Sequence, residues 1–546
     1  MTKWLFFIFL WFFTIDALSY KDSMQEDLRV IKHLFEVSYA PAEWKKEYLG
    51  WDLEIAYENA KNEISSTPDL TLKQYQQILK KFLATTQDYH VSIQFYSTEN
   101  ATLPFEVKTV NNRTFIDWYD KSKMQKNAIN IGDELIEFDG NPIDEVLKEI
   151  KMNNRLGTNP YTDQGLADNY LTHRSGVRGD NVPSGTVLIA LRSCKDAKLN
   201  VFNIEWIYQP ELIEVPSAMF RTEQENLQRK NLGSRYSFVP KLGKVKWRWK
   251  DKPIKRGILK DSWNFYINQK EENKPFWNAY IYKNKDGRQI GYIRIPAYRY
   301  DGSYELEEKI ILSSFAKIIS YMQKSTEALV IDQVNNPGGS LDLTYSLASM
   351  LTNSPLSAIK NRIKITQEDV YDAVEKLKNN GAMEEKEILY NNAIIQEWNE
   401  GRTLTNPLFV GGIDIIEPNK RTNYTKPILF LINELSISCG DIMPAILQDN
   451  HRAVIFGNQT AGAGGGVRQH TFPNQNGIRS INYTCTLGER TNFQKIENQG
   501  IKPDIEYKIG INDIKNQYAD YGKAVNEAIS KMLPAKPKPK KKRLSF

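Results

Sequence analysis

The chain has 546 residues, enough for two or three domains. Hydrophobic residues make up 41% and aromatic residues 11% of it, which supports real hydrophobic cores and excludes a largely unfolded protein. The net charge of +6 is modest for this length, so the overall charge does not predict a nucleic-acid-binding protein.

The N-terminus has the features of a secretory signal peptide, residues 1–19. An apolar run covers residues 4–15, and the small residues Ala17 and Ser19 suit cleavage before Tyr20. An uncleaved membrane anchor is the weaker alternative, because a bilayer span needs roughly 20 apolar residues. We therefore expect a secreted protein, in the periplasm or beyond it, including a host cytosol, with no transmembrane segment after signal removal.

The cysteines and histidines do not predict a metal site. Cys194, Cys439 and Cys485 permit at most one disulfide and lack metal-site spacing. The histidines are scattered, without an HExxH motif or a pair at ligand spacing. They are His33, His90, His173, His451 and His470. We expect neither a metal ion nor another cofactor.

Residues 20–100 are predicted to form a helical region that ends in a strand. In "LTLKQYQQILKKFL" apolar residues recur at helical spacing, which indicates one buried face. These residues are Leu72, Tyr75, Ile78, Leu79 and Phe82. The next segment, "DYHVSIQFYS", alternates apolar and polar residues as a half-buried strand does, and His90 lies at its start.

Residues 101–205 are predicted to form a second unit that contains a hairpin. In "INIGDELIEFDGNPIDEVLKEI", residues 132–133 supply a turn and residues 135–138 a short strand. Residues 139–140 form a tight hairpin, and a helix begins near Ile143.

Two later segments have no regular pattern. Residues 206–285 are rich in charge, glycine and proline, and such an insert is typically a functional loop, a lid or a cleavable linker. A simple surface insertion is the alternative. The basic tail, residues 533–546, is predicted to be disordered, with a solubilising role favoured over nucleic-acid or membrane contact.

Residues 286–532 alternate apolar strands with amphipathic helices, which predicts an α/β fold with a mostly parallel sheet covered on both faces. The predicted strands are "QIGYIRIPA", "ALVIDQ", "PILFLI" and "AVIFG". The predicted helices are "YELEEKIILSSFAKIISYM", "LDLTYSLASMLT" and "DIMPAILQ". Catalytic groups in such sheets gather beyond the carboxyl ends of the strands.

Three of these strand ends carry residues suited to catalysis. Gly338 and Gly339 open a helix after "ALVIDQ" and can present N–H groups to an anion, although a tight turn explains them equally. Ser438 follows "PILFLI" and precedes Gly440, which matches part of a G-x-S-x-G nucleophile elbow. In such an elbow the N–H of Cys439 faces the oxyanion. The glycine loop "NQTAGAGGGV" follows "AVIFG".

The identity of the general base is not evident from the residues around Ser438. A serine hydroxyl needs a base to accept its proton, and no lysine or histidine lies in this strand–turn–helix. Cys439 is an alternative nucleophile, because a cysteine at a helix start gains thiolate character.

The motifs together resemble the S41 peptidases, the family of the tail-specific proteases and the tricorn core. "ALVIDQVNNPGGSLDL", "ILFLINELSISCGDIMPAILQDNHRAVIFGNQTAGAGG" and "ENQGIKPDIEY" carry the resemblance, and "INIGDELIEFDGNPI" is similar to the PDZ-type insert. The "DYH", "SISCGD" and "TAGAGG" motifs are most similar to the chlamydial protease-like activity factor family. The resemblance implies a crotonase-like (ClpP-like) αβ catalytic core with a helical N-terminal region and a PDZ-like insert.

The resemblance also implies the catalytic residues. Tail-specific proteases use a lysine in a T-x-G-K-G loop, but this chain has Ala463 at that position. The other branch uses His, Ser and Glu, and His90 and Glu497 match its remaining motifs. Ser438 is then the nucleophile and His90 the general base, while Glu497 orients the imidazole or a water.

The oxyanion donors implied by the resemblance are backbone N–H groups of Cys439 and of Gly338 or Gly339. One such donor is typically worth about 3 kcal/mol of the barrier. In this arrangement Cys439 is a structural thiol and not the nucleophile.

The resemblance finally implies a secreted serine endopeptidase of protein or peptide substrates, made as a self-processed zymogen and active as a homodimer. One alternative is an inactive relative that binds peptides or apolar ligands. Another is a Ser–Lys protease with Lys495 as a relocated base. The presence of His90, Ser438 and Glu497 together favours the His–Ser–Glu enzyme.

Overall fold

The structure is a computed structural model. It describes residues 20–124, 129–154, 157–212, 278–299, 304–379 and 383–534. The predicted signal peptide, most of the predicted insert and nearly all of the predicted basic tail lie outside these residues. Among the helices that are described, none combines the length and the apolar character needed to cross a bilayer.

The N-terminal region consists of helices that lead into a strand. They are α1 (Tyr20–Ser38), α2 (Ala42–Leu49), α3 (Leu53–Ser66), α4 (Leu72–Ala84) and β1 (Ser92–Phe95). A capping box begins α4, because Thr71 and Gln74 exchange hydrogen bonds between side chain and backbone. The predicted apolar face of α4 is buried except at Leu72, which lies in the first turn and is 38% exposed.

The next region is a sheet of short strands covered by two helices. Its elements are β2 (Asn100–Thr102), β3 (Phe105–Val110), β4 (Arg113–Tyr119), β5 (Glu134–Phe138), β6 (Asn141–Pro142), α5 (Ile143–Asn153), α6 (Pro160–Thr172), β7 (His173–Ser175), β8 (Thr186–Arg192), β9 (Leu199–Glu205) and β10 (Ile207–Gln209). Strands β3, β4, β5, β8 and β9 form an antiparallel sheet in that order, and α5 and α6 share its hydrophobic cluster. Strand β10 pairs with β2, so the predicted irregular insert does not begin at residue 206.

The C-terminal region contains the largest core. Its helices are α7 (Tyr304–Ser325), α8 (Leu341–Ser349), α9 (Gln367–Asn379), α10 (Glu385–Asn399), α11 (Cys439–Asp449), α12 (Ile511–Lys515) and α13 (Ala519–Lys531). Its strands are β11 (Asn278–Lys283), β12 (Gln289–Arg294), β13 (Ala328–Asp332), β14 (Leu356–Ser357), β15 (Lys360–Ile363), β16 (Leu408–Phe409), β17 (Ile415–Ile416), β18 (Ile428–Ile432), β19 (Val454–Gly457), β20 (Val467–His470), β21 (Ile478–Thr484), β22 (Thr486–Glu489) and β23 (Ile505–Glu506).

A six-stranded sheet in the order β11-β12-β13-β18-β19-β23 organises this region. Every pair from β12 to β23 is parallel, and only β11 runs antiparallel to its neighbour. Helices α7, α8 and α11 pack on one face and α13 on the other. A sheet buried on both faces reads as continuous apolar strands, which is why the sequence pattern predicted it correctly.

Strand β11 lies inside the predicted insert, so the predicted C-terminal boundary of the insert is wrong. Ala279 and Ile281 pack on one face of the sheet, whereas Tyr282 packs on the opposite face. Because both faces are buried, the segment "NAYIYK" lacks the apolar–polar alternation that marks a half-exposed strand. The irregular segment therefore ends before Asn278 and not at residue 285.

Helix α11 begins at Cys439 although Pro444 lies inside it. From the sequence, a proline at this position predicts a regular helix that starts a few residues later or one that is distorted there, because proline leaves the carbonyl four residues earlier without its N–H partner. Here that carbonyl belongs to Gly440, and it accepts a hydrogen bond from the buried side-chain amide of Gln333 at 2.7 Å. The Gln333 side chain thus replaces the missing helical bond, so of these two alternatives the late start is wrong.

The N-terminal region is attached to the C-terminal region through β1, which pairs antiparallel with β21. Side chains of both strands pack with α1, α3 and α4 in one hydrophobic cluster. Residue 90 lies just before β1, so this pairing brings the predicted base from the far end of the chain to the larger core.

Candidate active site

The turn after β18 has the backbone of a nucleophile elbow. Ser438 lies immediately before α11 with φ 61° and ψ −121°, a conformation that costs a residue with a side chain about 1–3 kcal/mol. Close backbone packing holds it there: Ile437 donates its N–H to the Asn336 carbonyl at 2.9 Å. A Cβ on Gly338 would lie 2.5 Å from the Ser438 Cβ, so only glycine fits beside the serine.

Two backbone N–H groups next to Ser438 are suited to hold an oxyanion. Gly339 and Cys439 both line the same cavity as Ser438. Within the described chain, neither residue donates its N–H to a protein acceptor. The N–H of Gly338 instead donates to Asn336 Oδ1 at 2.8 Å, so the structure corrects Gly338 from an oxyanion donor to a turn residue.

Ser438 and His90 line one cavity of about 550 Å³. The N-terminal region supplies Tyr89, His90 and Ser92 to its wall, and helix α6 supplies Gly165, Leu166, Asn169 and Tyr170. The glycine loop 464–466, predicted to lie at the same sheet edge, forms another part of the wall. All three regions of the chain therefore meet at this cavity.

The backbone of His90 is held by Asp88. The His90 N–H donates to Asp88 Oδ1 at 2.8 Å, and Tyr39 and Thr484 donate their hydroxyls to the other carboxylate oxygen. Burial raises the pKa of Asp88, but the positive charges of Lys45 and His90 outweigh it and hold the pKa below its usual range. Asp88 lies two residues before His90 in the "DYH" motif, which is the signal in the sequence that marks it.

Glu497 is buried and is not among the residues that line the cavity. Its side chain is 1% exposed, and its Oε1 atom accepts a hydrogen bond from Lys45 Nζ at 2.5 Å. Burial and the charge of Asp88 raise the pKa of Glu497 to about 8 despite this lysine. Stability from its bound proton is therefore complete below the ordinary pKa of 4.5 and is lost as the pH rises through about 8.

Comparison with known proteins identifies the family to which this chain belongs. Residues 289–507 match the model of peptidase family S41, and residues 99–215 match a PDZ domain model. A Chlamydia pneumoniae protein is 32% identical over 93% of this chain and 90% of its own length. The crystal structure of mature CPAF, the chlamydial protease-like activity factor, is 31% identical, has a TM-score of 0.78 and is matched over 98% of its length and 94% of this chain. The chain belongs to peptidase family S41.

The predicted enzyme class and fold class are thereby confirmed. The chain is a serine endopeptidase of family S41, with an α/β catalytic core and a PDZ domain. The structure of mature CPAF complexed with lactacystin is likewise 31% identical, with a TM-score of 0.78, and is matched over 99% of its length and 94% of this chain.

A Ser–Lys arrangement of the S41 type does not fit this chain. Ala463 occupies the position of the family lysine, and its N–H donates to the buried Asp441 at 3.1 Å. Lys495, the relocated base of this alternative, places Nζ 3.3 Å from Glu489 Oε1 and over the ring of Trp44. Lys495 is not among the residues that line the cavity, so the structure does not support this alternative.

The Cys439 side chain lacks the environment of a nucleophile. Its Sγ atom is buried and lies 3.2 Å from the Gly339 carbonyl oxygen. Burial raises the pKa of the thiol to about 11, so the thiolate is scarce at neutral pH. Cys439, Cys194 and Cys485 are all free thiols in the structure.

Proposed function

We propose that this S41 endopeptidase is secreted and cleaves protein substrates with Ser438 as nucleophile and His90 as general base. The observation that carries the proposal is the cavity that Ser438 and His90 share. Ser438 lies in a strained turn, and the cavity is also lined by Gly339 and Cys439, whose N–H groups donate to no protein acceptor in the described chain. Secretion directed by residues 1–19 and association into a homodimer are proposed on the resemblance alone.

In the proposed mechanism, His90 accepts the Ser438 proton as the hydroxyl oxygen attacks the scissile carbonyl carbon. The oxyanion that forms is held by the N–H groups of Gly339 and Cys439. His90 then protonates the leaving amine, and a water activated by His90 hydrolyses the acyl-enzyme. Glu497 orients the imidazole or a water.

A fluorophosphonate probe tests the nucleophile. We expect the processed wild-type protein to be labelled on Ser438, identified by mass spectrometry of the labelled peptide, and Ser438→Ala to lose the label. Ser92 lines the same cavity and accepts a hydrogen bond from Asn482, so Ser92→Ala is the matched control and should label as wild type does. Label on any other residue of a folded protein would contradict the assignment.

We further propose that the chain is a zymogen that excises part of its central insert, within residues 213–277. The strands on either side of this segment support the proposal, because β10 is paired with β2 and β11 with β12 over its whole length. Both new ends would therefore stay attached to their sheets after cleavage. The comparison structures are of a mature form of CPAF, which agrees with processing in the family.

Self-processing predicts that full-length Ser438→Ala stays intact alone and is cut by a small amount of wild-type protein. Gel electrophoresis over time, with N-terminal sequencing of the fragments, measures both reactions. Purified Ser438→Ala that matures by itself at the wild-type rate would exclude self-processing while leaving the endopeptidase activity unaffected.

A further inference from the structure

We propose that Lys45 is a positioning residue of the catalytic centre, whose buried ammonium joins the loop that carries His90 to the segment that carries Glu497. The inference rests on the catalytic roles proposed for these two residues. The sequence offered no signal for it, because "AEWKKEYL" in α2 has the composition of a surface helix.

Lys45 has an unusual environment for a lysine. Its side chain is 0% exposed, and lysine is almost never fully buried unless its charge is paired. Its Nζ atom donates to Glu497 Oε1 at 2.5 Å, to Asn498 Oδ1 at 2.7 Å and to the Gln87 carbonyl at 3.1 Å. Three acceptors from two distant parts of the chain thus compensate the loss of water around the ammonium.

The contact with Gln87 connects the lysine to the base. The same carbonyl accepts a second hydrogen bond from Asn498 Nδ2 at 2.9 Å, so two donors converge on this atom. Gln87 has a positive φ of 46°, and the next residue, Asp88, holds the His90 N–H. A shift of the Gln87 carbonyl would therefore move the turn on which His90 is carried.

The lysine is also the positive charge within an acidic cluster. The groups that act on it or on its partners are Asp88 and His90 before β1, Tyr39 after α1, Asp441 in α11 and Glu497. Its charge lowers the pKa of both Asp88 and Glu497, although burial is the largest influence on each. Loss of this positive charge makes the surroundings of His90 more negative. A more negative environment favours the protonated imidazole of His90.

Three variants separate the effect of the shape and position of the Lys45 side chain from the effect of its positive charge. Lys45→Met removes the ammonium at similar volume, Lys45→Arg keeps the charge with a different shape, and Lys46→Met is the control on the exposed neighbour. We expect Lys45→Met and Lys45→Arg to lower kcat by about 100-fold with KM nearly unchanged, because a displacement of about 1 Å at a catalytic group costs this much. Lys46→Met should match wild type.

The pH profile of kcat/KM provides the readout that a merely structural role would not change. The acid limb should move to higher pH in Lys45→Met and stay in place in Lys45→Arg, which retains the positive charge. Activity is expressed per active site titrated with the fluorophosphonate, so a smaller folded fraction does not imitate the effect. Wild-type kcat and an unshifted limb in titrated Lys45→Met would overturn the inference.

Two further comparisons keep the outcome decisive. If Lys45→Met does not fold, Lys45→Arg and Asn498→Ala test the proposal instead. Both disturb the hydrogen bonds to the Gln87 carbonyl, so both should lower kcat. Wild-type kcat in both variants would refute the proposal. His90→Ala distinguishes failure of the proposed function from failure of the role of Lys45. An active His90→Ala protein would refute the proposed function, whereas an inactive one beside a normal Lys45→Met would refute only the role of Lys45.

Discussion

Replacement of His90 by alanine is expected to lower kcat by about 10⁶-fold, as much as replacement of Ser438. Without the imidazole, the Ser438 hydroxyl has no base to accept its proton and the leaving amine has no acid. Because the two residues act as one unit, the double variant should be no slower than either single variant. The measurement is the single-turnover and steady-state cleavage of an unfolded protein substrate.

Processing has to be kept constant in this experiment, because a variant that cannot cleave itself stays immature. Each variant is therefore matured by tagged wild-type protein, which is then removed. His33→Ala is the control, since His33 lies on α1 with a side chain 72% exposed and does not line the cavity. Substantial cleavage by matured His90→Ala would show that another group accepts the serine proton.

Gly338→Ala is expected to lower kcat/KM by at least about 100-fold in a protein that remains folded. The added Cβ would lie 2.5 Å from the Ser438 Cβ, 2.7 Å from the Ile437 carbonyl oxygen and 2.9 Å from the Cys439 nitrogen. These atoms form the elbow and one oxyanion donor, so relief of the overlap displaces the nucleophile itself. The measurements are kcat/KM and the rate of fluorophosphonate labelling, with thermal unfolding as the test of folding.

Gly140→Ala is the matched control for this substitution. Gly140 has φ +75° against +91° at Gly338, and a Cβ on it would meet no atom within 4 Å. Both variants have the backbone cost of an alanine in the left-handed region, about 1–2 kcal/mol, but only Gly338→Ala disturbs Ser438. Equal activities of the two variants would contradict the account of the elbow.

Pro444 and Gly338 show where reasoning from the sequence was insufficient. A proline six residues into a helix predicts distortion, and only the Gln333 side chain, 111 residues upstream, satisfies the carbonyl that it leaves open. Two adjacent glycines are equivalent oxyanion donors in the sequence. The Asn336 side chain distinguishes them by occupying the Gly338 N–H.

The sequence by itself determined the class of the protein. Continuous apolar strands separated by amphipathic helices predicted the parallel sheet, because a sheet covered on both faces requires that pattern. The strand ends then located Ser438 and the glycine loops, since the carboxyl ends of parallel strands meet at one edge. The motifs around His90 and Glu497 were short, and they became informative only together, through the family resemblance.

Only the tertiary structure decided how the catalytic centre is supported. Lys45 and Glu497 are 452 residues apart, and no local pattern marks either residue as buried. The pairing of β1 with β21 attaches the N-terminal region to the C-terminal region, and in the folded chain the ammonium and the carboxyl are both buried. Burial raises the pKa of Glu497 to about 8, and this desolvation depends on atoms from several segments. The sequence shows which side chains can carry a charge, but only the folded structure shows which of them are buried away from water.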